Sequence, residues 1–156
     1  MKELNRVKDL FLWIPIDKRI DQLGLPLPPR KPETRLPKFW LARDGNSLYF
    51  INNTEEILDS VSVSTGGFQT CDDVVLTVSS EEDYFYENVM PNEAVKIEEY
   101  HPIFDSDFIF EVVVIVKSKN EGNLIIKSPP EKGGVKEAVL LWNTGEVGRF
   151  TSITRI

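Results

Sequence analysis

One histidine and one cysteine are the only side chains in this sequence that could act as an imidazole base or a thiol nucleophile. Any serine or cysteine mechanism that relies on imidazole would therefore have to use His101. No glycine-x-serine-x-glycine nucleophile elbow accompanies it. Cys71 cannot form an intrachain disulfide and is expected to be an inert, hydrophobic thiol. We predict that His101 has a surface or packing role and that the protein is not an enzyme.

Carboxylates, which are hard oxygen donors for metal ions, are more abundant than histidine and cysteine and occur in three acidic clusters. Sandwich loops could bring such carboxylates together around calcium, but their spacing matches no calcium-binding loop. One histidine and one cysteine are too few for a typical transition-metal site, and no glycine-rich phosphate loop opens a helix. The sequence therefore predicts no metal and no cofactor. The clusters are Asp72-Asp73, Glu81-Glu82-Asp83 and Asp105-x-Asp107.

Aromatic residues near these carboxylates favour an alternative function. Tyr84, Tyr86 and Trp142 are residue types that stack on sugar rings, and paired carboxylates can hydrolyse glycosides. Nothing in the spacing holds two carboxylates at a working separation. A hydrolase or a carbohydrate-binding domain is therefore an alternative interpretation.

The net charge of −7 is distributed in three blocks of alternating sign, with Asp44 adding one negative charge between the first two blocks. Residues 1–43 carry +5, residues 55–111 carry −14 with Lys96 as their single base, and residues 112–156 carry +3. A block of such negative charge repels phosphates, so nucleic-acid binding by the domain body is not expected. The same block favours a basic protein partner, since opposite charges steer association. One form of this hypothesis is an antidote or immunity-type protein that covers a basic toxin.

The predicted partner surface lies between residues 72 and 107, with tyrosines as anchors and carboxylates as steering charges. Consecutive residues of a strand point to opposite faces, so Glu98 and Glu99 cannot both serve one surface. A solvated rim that only keeps the protein soluble is the competing interpretation. The predicted partner-binding residues are Glu81, Glu82, Asp83, Tyr84, Tyr86, Glu98, Glu99 and Tyr100.

The elements that must position these residues begin with an N-terminal segment, residues 1–37. Leu4, Val7, Leu10, Phe11 and Ile14 recur at helical spacing, which predicts a short amphipathic helix. Five prolines follow between residues 26 and 37 and favour an extended arm, either a connector or a ligand for an aromatic groove. We expect the helix and arm to pack on the body and to help cover its central strand. An assembly subunit that docks through this arm is a further alternative, and a homo-oligomer is left open.

From residue 38 to residue 156 the apolar pattern changes to a period of two. Strands are predicted at residues 39–42, 47–52, 57–64, 74–79, 94–100, 108–117, 124–128, 135–142 and 147–153. The turn residues that separate them include Asp44-Gly45, Thr65-Gly66-Gly67 and Asn143-Thr144-Gly145. Residues 108–116 are apolar on both faces except at Glu111, which predicts a central strand. The pattern predicts a mostly β protein, an antiparallel β-sandwich that resembles immunoglobulin-like and fibronectin-like domains in a generic sense.

The expected location is the cytoplasm. The first residues show no apolar segment of the signal-peptide type. The longest apolar run, residues 112–116, is far shorter than the roughly 20 residues that cross a bilayer, so no membrane partner is expected. The leading prediction is therefore a cytoplasmic, non-enzymatic protein-binding module.

Overall fold

The computed structural model describes residues 6–9, 11, 13, 34–71, 74–79, 84–101, 103 and 108–155, with the backbone alone for residues 64–71 and 74–79. Across these ranges the chain forms strands and no helix. The strands are β1 (Arg6–Lys8), β2 (Pro37–Asp44), β3 (Ser47–Asn52), β4 (Leu58–Cys71), β5 (Val74–Ser79), β6 (Tyr84–Val89), β7 (Glu93–Glu99), β8 (Ile109–Ser118), β9 (Gly122–Lys127), β10 (Glu131–Lys132), β11 (Ala138–Trp142) and β12 (Ser152–Arg155).

The strands form two antiparallel sheets, which confirms the prediction of a mostly β protein. The five-stranded sheet has the order β1-β7-β3-β2-β11, and the seven-stranded sheet has the order β12-β9-β8-β4-β5, with β10 paired to β8 and β6 paired to β4. β8 lies between β4 and β9, so its central position is also confirmed.

One apolar core takes side chains from both sheets because each strand alternates between two faces. In β2, Phe39 and Leu41 belong to this core, whereas Trp40 lies on the opposite face of the sheet. In β8, Val112 and Val114 are buried in the same core. Each fully buried side chain of this size contributes about 1.5–3 kcal/mol relative to exposure.

The N-terminal helix prediction is wrong for the residues that the structure describes there. Arg6–Lys8 form β1 and pair with β7, and Val7 lies opposite Ala94. The Arg6 guanidinium contacts the Glu93 carboxylate at 3.0 Å. Phe11 and Trp13, two residues apart, then pack on the outer face of the five-stranded sheet. Tertiary pairing at an open sheet edge therefore outweighs the local helical spacing. Most of the predicted helix and the proline arm lie outside the described residues.

Three other sequence predictions differ from the structure. β6 was not predicted, although Tyr86 and Val89 alternate into the core. The Gly66-Gly67 turn is absent, because both glycines lie inside β4, where this strand changes partner from β6 to β5. Residues 147–153 do not form one strand: a single bridge joins Val147 to Leu141, and a turn precedes β12.

The two faces of the central strand are buried to different extents. The inner face of β8 is fully buried, whereas Val113 and Ile115 on its outer face are half-buried. Phe11 and Trp13 pack on the five-stranded sheet, and the rest of the segment predicted to cover β8 lies mostly outside the described residues. Within the described part of the chain, no helix has the length and apolar character needed to cross a membrane.

Candidate functional site

All three tryptophans of the sequence meet on the outer face of the five-stranded sheet. The Trp13 ring lies 5.2 Å from the Trp40 ring and 5.8 Å from the Trp142 ring, in both cases edge to face. Phe11 extends this cluster, with ring centroids 6.1 Å from Trp40 and 5.5 Å from Tyr49. Edge-to-face pairs of this kind contribute about 0.5–1.5 kcal/mol each beyond their buried area. We call these five residues the aromatic cluster.

The local sequence explains the position of Trp40, one of the two tryptophans that lie in strands. Trp40 follows core residue Phe39 in β2, so the period of two sends its ring to the outer face. Its indole Nε1 is buried and finds no hydrogen-bond partner among the described residues. A buried donor without a partner costs about 1–3 kcal/mol. Trp142 ends β11, opposite Pro37 in β2.

A cavity of about 540 Å³ opens beside the aromatic cluster. A volume of this size falls within the roughly 300–1,000 Å³ typical of ligand sites. Its lining combines apolar and aromatic side chains with two arginines and one glutamate. The residues that matter for its chemistry are Trp13, Arg35, Glu137, Trp142, Arg149 and Phe150. We call it the arginine pocket.

The loop between β11 and β12 carries one side of the arginine pocket. The Gly148 amide donates a hydrogen bond to the Leu140 carbonyl at 2.9 Å. A Cβ atom added at Gly148 would lie 1.6 Å from the Val139 carbonyl oxygen, so only glycine fits this approach to β11. The Thr151 amide then donates to the Gly148 carbonyl at 3.1 Å and closes a turn. The loop is thus anchored immediately before Arg149 and Phe150.

Phe150 has an unusual conformation at the tip of this turn. Its φ of 57° is left-handed, in a turn position that usually holds glycine. Its side chain is 76% exposed, and that of Val147 is 45% exposed. Exposed apolar residues around a cavity are typical of interaction sites, and residues held in the left-handed region cluster at such sites.

The two arginines of the pocket are held in different ways. The Arg35 guanidinium lies 4.1 Å from the centre of the Trp142 ring and 3.1 Å from a carboxylate oxygen of Glu146. The Arg149 guanidinium lies 4.9 Å from the Phe150 ring. Arg149 is exposed and forms no ion pair with any residue in the described ranges. Its positive charge is therefore available to an incoming anion.

Two of the predicted anchor tyrosines are core residues. Tyr86 is 1% exposed, and its hydroxyl donates to the Lys96 carbonyl at 2.5 Å, which links β6 of one sheet to β7 of the other. Tyr100 is 3% exposed and packs against Phe110 at 5.1 Å. Burial raises the pKa of Tyr100 well above its usual value, and the negative charge of Glu98 acts in the same direction. In this structure neither ring is accessible to a partner.

The remaining predicted site residues are only partly brought together. Tyr84 is half-buried and stacks on Tyr86 with ring centroids 6.4 Å apart. Glu98 is half-buried, while Glu99 is exposed and contacts Lys96 at 3.2 Å. Glu81, Glu82 and Asp83 lie outside the described residues.

The sugar-stacking interpretation is disfavoured by the same burial pattern. Trp142 is only 9% exposed, and Arg35 already covers one face of its ring. Tyr86 is inside the core. A flat, open aromatic platform is therefore lacking at both of these positions.

His101 follows β7 of one sheet, whereas Cys71 belongs to β4 of the other sheet. His101 is exposed, and its Nδ1 accepts a hydrogen bond from the Ile103 amide at 3.1 Å. Cys71 is the last residue of β4. A smaller cavity of about 230 Å³ is lined by three glutamates and Lys38, whose amine contacts Glu121 at 2.5 Å. In the described ranges, no group of three or more histidine, cysteine or carboxylate side chains is arranged to hold a metal ion.

Sequence reasoning missed Arg35, Arg149 and Phe150. Arg35 lies in the proline arm, more than 100 residues before the loop that it contacts, and no sequence period joins them. The Asn143-Thr144-Gly145 turn was recognised, but a turn alone does not indicate a pocket.

No family model matches this chain, and no curated protein or solved structure shows significant similarity to it.

Proposed function

We propose that this chain is a non-enzymatic protein-binding module with a β-sandwich fold of a generic immunoglobulin-like kind. The sandwich is supported by the two antiparallel sheets that contribute to one core. The non-enzymatic assignment is supported by His101, whose Nδ1 accepts a hydrogen bond within a local turn.

The observation that carries the binding proposal is the exposed rim of the arginine pocket. Phe150 and Val147 leave large apolar surface in water beside a cavity, and Arg149 adds a positive charge that forms no ion pair with any described residue. An aromatic residue and an arginine next to a cavity form the kind of anchor that dominates binding energy in protein interfaces.

The acidic surface remains a second proposal, for a basic partner. Its support is the charge of −14 over residues 55–111 together with the exposed carboxylates of Glu87 and Glu99. Tyr86 and Tyr100 take no part in this version, because both are buried. The acidic residues would act on association rate through long-range attraction, which salt screens.

Site-specific cross-linking separates these two surfaces. A photoreactive phenylalanine analogue is placed at Phe150, at Glu99 or at the control position Thr154, which is exposed in β12. After irradiation in native lysate, we expect a discrete adduct from the Phe150 position and none from the control. An adduct from the Glu99 position alone would move the site to the acidic surface. No adduct from either position would contradict the binding-module proposal.

A further inference from the structure

The positive charge of Arg149 restricts the chemistry of the occupant of the arginine pocket. The pocket is lined by two arginines and one glutamate, and Glu146 already neutralises part of the Arg35 charge. Arg149 has no ion-pair partner in the described part of the chain. A guanidinium presents a planar fork of donors that matches a carboxylate or a phosphate. Because the net charge of −7 repels the more highly charged phosphate more strongly, the complementary group on the occupant is a carboxylate.

The apolar part of the lining requires an apolar side chain beside that carboxylate. Val139, Val147 and Phe150 line the pocket together with two indoles of the aromatic cluster. Water on these surfaces is displaced most favourably by an apolar group, at about 25 cal/mol per Å² removed from water.

A polypeptide fits the surrounding surface better than a compact ligand does. A second cavity of about 380 Å³ shares Trp13 with the arginine pocket and is also lined by Asp9, Leu36, Asn53 and Asn92, among others. The Asn53 amide N–H donates to the Pro37 carbonyl at 2.9 Å, and an amide oxygen can accept a hydrogen bond from the N–H of an extended peptide. The exposed Leu36 and Phe150 on the two cavities provide a rim that an elongated occupant would cover.

A long polyanion is disfavoured by the charge of the whole protein. The net charge of −7 repels nucleic acid and other chains of phosphates at a distance. A short segment with one or two carboxylates avoids most of this repulsion and still pairs with Arg149.

We infer that the arginine pocket binds a short acidic segment of a protein partner, in which an apolar side chain lies next to a carboxylate. This inference rests on the proposed binding function. The carboxylate pairs with Arg149, and the apolar side chain packs on the exposed surfaces of Val147 and Phe150.

Three blocked pentapeptides test the inference directly: acetyl-Gly-Asp-Phe-Asp-Gly-amide, the same peptide with lysine for both aspartates, and the same peptide with alanine for phenylalanine. Binding is followed by tryptophan fluorescence, because Trp13 and Trp142 line the pocket. We expect the aspartate-phenylalanine peptide to bind at least tenfold more tightly than either variant, which corresponds to about 1.4 kcal/mol. Its affinity should fall as ionic strength rises.

Charge reversal provides the matched control. Arg149→Glu should weaken binding of the acidic peptide at least tenfold, whereas Lys119→Glu, the same charge change at an exposed turn between β8 and β9, should leave it unchanged. Equal binding of the lysine peptide, or equal effects of the two substitutions, would overturn the inference. Concentration-dependent self-association that Phe150→Gly abolishes would assign the pocket to a second copy and would also overturn it. Because the cross-linking adduct at Phe150 does not depend on partner charge, an adduct without acidic-peptide binding would leave the proposed function intact and reject only this inference.

Discussion

The left-handed backbone at Phe150 predicts an unusual order of stability for two substitutions. Holding a non-glycine residue in this region costs roughly 1–2 kcal/mol, and glycine removes that cost. Glycine in turn lowers stability by about 0.4–1 kcal/mol through the entropy of the unfolded chain. Since the Phe150 side chain is 76% exposed, both Phe150→Gly and Phe150→Ala lose only a small amount of buried apolar surface. The difference between the two variants therefore isolates the backbone.

We expect Phe150→Gly to be more stable than Phe150→Ala by about 0.5–1 kcal/mol. For a chain of this size, the difference amounts to roughly 1–4 °C in melting temperature. Urea denaturation measures the difference in unfolding free energy directly, provided that both variants unfold with the same m-value.

The variants Thr154→Gly and Thr154→Ala serve as the control pair. Thr154 is exposed in strand β12, where glycine is ordinarily less stable than alanine by about 0.5–1 kcal/mol. The order should therefore reverse between the two positions. If Phe150→Ala is the more stable variant at position 150, the backbone there is not strained and the argument that links this strain to binding is refuted.

Four further outcomes follow from contacts elsewhere in the fold. Asn52→Ala should lower the unfolding free energy measured in urea by roughly 2–4 kcal/mol, because the buried amide donates to three carbonyls and accepts from Thr54. A loss below about 1 kcal/mol would contradict this role. Gly148→Ala should lower the unfolding free energy by on the order of 1–3 kcal/mol and reduce acidic-peptide binding, since the added Cβ meets the backbone of β11. An unchanged melting temperature would show that the loop is not anchored there. Deletion of residues 1–24 should lower the melting temperature by removing β1, Phe11 and Trp13, and an unchanged value would mean that this segment does not stabilise the body. His101→Ala should leave stability within about 0.5 kcal/mol and leave binding intact, and a loss of function with the fold preserved would favour an enzyme instead.

The sequence alone was sufficient to predict most strands and the central place of β8. Alternation in β2 and β3 and the apolar run of β8 are local signals, because a strand buries every second residue whatever its partner is. The turn at Asp44-Gly45 is local in the same way, since glycine supplies the positive φ that it requires.

Tertiary structure decided the features that depend on distant partners. Arg6–Lys8 became a strand because β7 offers an open edge, and no local pattern encodes that edge. Tyr86 is buried because its hydroxyl finds a carbonyl on the facing sheet, which turns a residue predicted as a surface anchor into a core residue.

The arginine pocket shows the same division between local pattern and long-range contact. Its Asn-Thr-Gly turn is visible in the sequence, but Arg35 reaches the site from a segment more than 100 residues away. Phe150 adopts a left-handed conformation two residues after the close approach of Gly148 to β11, although phenylalanine has no preference for this conformation. Side-chain periodicity specifies which face of a strand is buried, whereas a site assembled from separate loops depends on how the sheets pack, and only the folded chain determines that packing.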